Sequence, residues 1–104
     1  MEEGIVLCAA SAYEKKFYLN QEFEGLPQSI KDELKIMCVL FTEDVGGIVE
    51  LIYDEDGELR FRTSADESDY LYDEIGSALK VKELQRTKQE LLESLQIYYQ
   101  VMGG

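Results

Sequence analysis

The residues of this chain with chemistry to offer are two cysteines and a large stock of carboxylates; histidine is absent. Its absence removes the commonest general base near neutral pH and the commonest zinc ligand. Neither a Ser-His-Asp nor a Cys-His catalytic arrangement can be assembled within the chain. Cys8 and Cys38 each sit inside an apolar run, Ile5–Ala9 and Ile36–Leu40. That spacing is neither a CxxC pair nor a zinc ligand set. The runs argue instead for two buried, reduced thiols behaving as small hydrophobes. Carboxylate pairs are too numerous for any one to stand out as an acid/base dyad. The acidic stretch Asp54–Glu58 invites a calcium reading, but an EF-hand loop with Gly57 at its sixth position would place Ile52 first and Thr63 twelfth, where acids are required. That stretch reads as a solvated turn. Asp66–Asp69, followed by Asp73 and Glu74, could chelate an ion or meet a basic partner, but capping a helix N-terminus explains it more simply. Gly46-Gly47 and Gly103-Gly104 lack the spacing and the following Lys-Ser/Thr of a phosphate loop. The sequence therefore offers no catalytic residue, no cofactor-binding residue and no metal ligand, and the reading leans away from an enzyme.

Charge narrows the partners. The chain has 104 residues with 22 acids against 10 bases, a formal net charge of −12. Such a field repels phosphates and anionic membrane surfaces, so neither nucleic acid nor membrane is an expected partner. Lys80, Lys82, Arg86 and Lys88 form a basic cluster, with Lys82 and Arg86 one helical turn apart. That pair could hold a phosphate or an acidic peptide, or offset acids elsewhere, including those of a neighbouring protomer. The chain opens on the acidic Met1-Glu2-Glu3-Gly4, unlike a basic signal-peptide start. Its longest apolar run, Ile36–Phe41, falls far short of a membrane span. A cytoplasmic location is expected.

The elements follow from periodicity. With 45% hydrophobic residues the chain reads as one folded domain over residues 1–104. Ile5–Ala10 and Lys16–Leu19 favour strands, although the join Ser11–Glu14 lacks Gly, Pro or Asn and a single helix through this segment stays open. After Leu26-Pro27, the residues Ile30, Leu34, Met37, Cys38 and Phe41 recur at steps of three and four, predicting an amphipathic helix that Gly46-Gly47 ends. Ile48–Tyr53 and Leu59–Thr63 flank an acidic Gly-containing loop and predict a second hairpin. From Ser64–Ser68 onward a helical region is expected to reach about Met102. There Leu71, Ile75, Ala78 and Leu79 share one side, while Val81, Leu84, Leu91, Leu92, Leu95, Tyr98, Tyr99 and Met102 lie opposite. A break near Gly76-Ser77, giving a short helix then a long one, reconciles the two faces. The fold class is α+β: an antiparallel sheet of about four strands in two hairpins, with a central amphipathic helix and a long C-terminal helix, in ββαββα-like order.

The segments Val6–Glu14, Glu33–Gly47 and Tyr72–Lys80 resemble a family of small acidic bacterial proteins, from anaerobic gut Clostridia and relatives, classed as a domain of unknown function. The resemblance covers nearly the whole chain, which implies a complete single-domain protein of the bacterial cytosol. It carries no activity, substrate or catalytic residue with it. The expected function is thus a non-enzymatic protein-interaction or regulatory module, acting as a homodimer and open to a basic protein partner. Leu84, Leu91, Leu95, Tyr98, Tyr99 and Met102 form the expected interface, since two short hairpins leave part of the last helix uncovered and tyrosine suits surfaces that are apolar at one end and wet at the other. The alternatives are a small-molecule-binding or enzymatic domain with a pocket lined by tyrosines and Cys8 or Cys38, or an acidic decoy for a nucleic-acid-binding protein.

Overall fold

The computed structural model describes residues 4–102. Along it run β1 (Ile5–Ser11), β2 (Lys16–Leu19), α1 (Gln28–Val45), β3 (Ile48–Tyr53), β4 (Leu59–Ser64), α2 (Glu74–Thr87) and α3 (Gln89–Val101). The strands form one antiparallel sheet in the order β2-β1-β3-β4. This is the α+β architecture that the periodicity predicts. The helix left open for the first segment does not form, because Cys8–Ser11 pair with Lys16–Leu19. No glycine is needed at that turn. The Ser11 hydroxyl accepts from the Tyr13 and Glu14 amides, both at 3.2 Å. Lys15 then closes the turn with φ at +55° and its N–H on the Ser11 carbonyl at 2.8 Å.

One face of the sheet carries the core. Strand alternation turns Ala10, Val49, Leu51 and Tyr53 inward, and a bulge between Val6 and Cys8 lets both Leu7 and Cys8 be fully buried. Helix α1 answers with Leu34, Met37, Cys38 and Phe41, the stripe read from the sequence. On the other face Glu50 and Arg62 pair across β3 and β4 at 2.7 Å. Gly46 and Gly47, at φ +81° and +72°, end α1 and turn the chain into β3. At Gly47 any Cβ would lie 2.5 Å from the Ser64 carbonyl and 2.7 Å from the Tyr72 ring, so the position is closed to larger residues.

The C-terminal region departs from expectation twice. Residues 65–73 are turns and irregular chain, and α2 begins only at Glu74. The acids of 66–69 do not cap it. Asp69 accepts from the Tyr13 hydroxyl at 2.7 Å, and that oxygen accepts in turn from the Asp66 amide at 2.9 Å, so the segment is tied to the β1–β2 turn. The cap is Asp73, whose carboxylate accepts from the Gly76 N–H at 2.8 Å. Gly76 therefore starts a helix rather than breaking one: the Asp73 carboxylate occupies the space where a Cβ would stand. The break falls at Lys88 instead, with φ −110° and ψ 25°. Lys88 reaches Glu33 of α1 at 3.3 Å, and Leu84 and Leu91 are buried on either side of it.

Candidate functional site

Five of the six residues expected at an interface belong to, or pack against, the core. Leu84, Leu91 and Leu95 are buried with the sheet and α1, and Tyr98 and Tyr99 pack half-buried against them. Met102 is exposed. The reason is an aromatic cluster that the periodicity of one helix does not reveal. Tyr53 of β3 stacks on Tyr99 with ring centroids 4.0 Å apart, and Phe23 lies within 5.7 Å of Tyr53. The buried Tyr53 hydroxyl donates to the Leu95 carbonyl at 2.7 Å, locking α3 onto the sheet. Burial pushes the Tyr53 phenol above its ordinary pKa, and the neighbouring Cys8, Tyr99 and Tyr98 add to the effect. The tyrosines of the expected pocket thus fill one another's space.

The two cysteines meet. Their Sγ atoms lie 3.9 Å apart as free thiols where β1 faces α1. The hydrogen bond with Cys38 and burial both hold the Cys8 thiol well above its ordinary pKa. A nucleophilic thiolate needs the opposite setting, exposed and electropositive. Among the described residues no group of three or more Cys, Asp or Glu side chains could hold a metal ion. In the acidic loop, Asp54 accepts from the Asp56 and Glu58 amides at 2.9 and 3.0 Å. Hydrogen bonding from Arg60, then those amides, holds its carboxyl below the usual carboxylate range.

Apolar side chains are exposed in the loop before α2 (Tyr70, Leu71), on α3 (Ile97, Val101) and on two neighbouring helices, α1 and α2. Lys80 pairs with Asp44 at 3.6 Å and Lys88 with Glu33 at 3.3 Å, so α2 runs antiparallel along α1. Each helix points a pair of branched side chains outward, one turn apart: Ile36 (58% exposed) and Leu40 (55%) on α1, Ile75 (76%) and Leu79 (62%) on α2. The charges beside these pairs differ in sign. On α1, Asp32 precedes Ile36 and Glu43 follows Leu40; on α2, Lys82 and Arg86 follow Leu79. Among the described residues none of these four makes an ion pair. Such a surface can bind by complementarity.

An antiparallel sheet covered on one face by helices, with an aromatic cluster packed in its core, defines a small α+β domain. The chain belongs to the family of unknown function DUF6145, whose model matches residues 4–103. No curated protein and no solved structure matches it. Among the described residues no helix is long and apolar enough to cross a membrane.

Proposed function

We propose that this protein is a non-enzymatic interaction module of the bacterial cytoplasm, and that it pairs with a second copy of itself through the outer faces of α1 and α2. The observation that carries this reading is the twinned apolar pairs, Ile36 with Leu40 and Ile75 with Leu79, flanked by unpaired acids on one helix and unpaired cations on the other. A two-fold axis would lay α1 of one protomer on α2 of its partner, setting apolar against apolar and Asp32 and Glu43 near Lys82 and Arg86. Each such side chain gains about 1.5–3 kcal/mol on full burial. Two reduced, buried thiols favour a reducing compartment. The strongly acidic remainder of the surface suits a basic protein partner rather than nucleic acid or membrane.

Sedimentation equilibrium tests the pairing. The wild type should return twice the 11.9 kDa chain mass. Leu40→Asp combined with Leu79→Asp should return the chain mass with unchanged circular dichroism. A wild type that stays monomeric at high concentration overturns the reading.

A further inference from the structure

We propose that the cleft between the β1–β2 turn and α1 is a binding site for a small organic anion, a carboxylate or phosphate ester carried on a compact apolar body. The inference is independent of the helix pairing above. The cleft encloses about 610 Å³, within the range of small-molecule sites. Its walls are of two kinds. Ala12, Phe17 and Val39 supply an apolar side, while Lys15, Lys16 and Lys35 bring three positive charges against the single negative charge of Glu43.

That balance is the reverse of the molecule's. In a chain of net charge −12, a lysine finds a carboxylate easily, as Lys31, Lys80 and Lys88 do. Among the described residues Lys15, Lys16 and Lys35 make no ion pair. Three cations left without internal use, and converging on one concavity, leave its charge for an external anion. The acidic surface that dominates the rest of the molecule, Lys82 and Arg86 on α2 apart, would turn anions away. Thr42, also in the wall, spends its hydroxyl proton on the Val39 carbonyl at 3.0 Å, so the side-chain donors on offer are the ammonium groups and the Ser11 hydroxyl, which accepts from the Tyr13 and Glu14 amides.

The backbone adds a second observation. Lys15 is the one non-glycine residue with positive φ among the described residues. Glycine or asparagine would hold φ +55° at lower cost. A lysine in that strained position, on the rim of the cation-lined cleft, fits a side chain kept for binding rather than for the turn.

The test uses the full chain and three probes: phenyl phosphate, benzoate and, as a neutral control, benzyl alcohol. Amide shifts in two-dimensional NMR should move saturably at Ala12, Lys15, Phe17 and Val39 with at least one of the two anions. The tighter anion identifies the phosphate or the carboxylate class. Benzyl alcohol should bind about tenfold or more weakly. Lys15→Gly should weaken anion binding about tenfold while leaving the melting temperature equal or higher, and Lys35→Gln should weaken it without unfolding. Absence of saturable shifts with both anions, shifts centred elsewhere, or wild-type affinity in both lysine variants would overturn the proposal.

Discussion

Helices α2 and α3 follow one another with a single residue between them, yet they are held by different physics. Helix α3 is gripped by the sheet through Leu91, Leu95, the Tyr53–Tyr99 stack and the Tyr53 hydrogen bond. Helix α2 buries only Ser77 and Leu84 among its residues and leans on α1 through Lys80. Its Ile75 and Leu79 stay in solvent. Apolar content alone therefore does not say which helix belongs to the core. What decides it is whether a strand residue stands opposite to receive the side chain. A surface that keeps apolar groups exposed on its more weakly held helix is where a partner can add stability.

The contrast predicts a wide gap between equivalent truncations. Leu95→Ala should cost about 3 kcal/mol in denaturant unfolding, the usual loss for a fully buried leucine. Leu79→Ala should stay within about 0.5 kcal/mol when measured on dissociated protein. Equal costs at the two positions would erase the distinction. Tyr53→Phe should come next, at about 1 kcal/mol, because it removes the hydroxyl's hydrogen bond to the Leu95 carbonyl inside α3. Alkaline titration probes the same core. Tyr53 and Cys8 both have folded pKa values raised above their ordinary ones. Their contribution is complete below the unfolded thiol's value of about 8.5 and falls as pH rises beyond it, steepening once unfolded tyrosine ionises near about 10. Melting temperature against pH should show that decline; a flat profile through this range would contradict the buried pair.

Asp73→Ala should cost about 1 kcal/mol as a lost cap, and hydrogen exchange should place the loss in the first turns of α2 while α3 keeps its protection. Loss of protection in both helices together would mean that they unfold as one. The smallest effect belongs to Asp54, whose folded pKa is lowered. Its stabilisation is present above the ordinary carboxylate value of about 3.9 and is lost as pH falls. It should be visible as a mild acid weakening of the β3–β4 turn that Arg60→Ala reduces.

Much of this arrangement was legible in the residues. The steps Leu34, Met37, Cys38 and Phe41 specify α1 without help from anything else, and the alternation Leu59, Phe61 places β4 correctly against the core. The C-terminal half was less legible because two local signals have second uses. Gly76, a helix breaker by propensity, serves the Asp73 cap, and the break moved to Lys88, where an ion pair to Glu33 anchors the junction. The apolar residues of α2 and α3 on opposite sides suggested two buried faces; only one is buried, since among the described residues nothing covers Ile75 and Leu79. The meeting of Cys8 with Cys38 had a partial signal, as each lies on a core-facing position of its own element. The contact itself depends on the bulge in β1, which no periodicity announces.

The pairing of the α1 and α2 faces is tested most directly by isotope-filtered NMR on a mixture of carbon-13-labelled and unlabelled protein. The account predicts intermolecular methyl contacts from Ile36 and Leu40 of one copy to Ile75 and Leu79 of the other. Intermolecular contacts confined to Ile97, Val101 or Met102, or none at all with relaxation rates of a monomer, would contradict it.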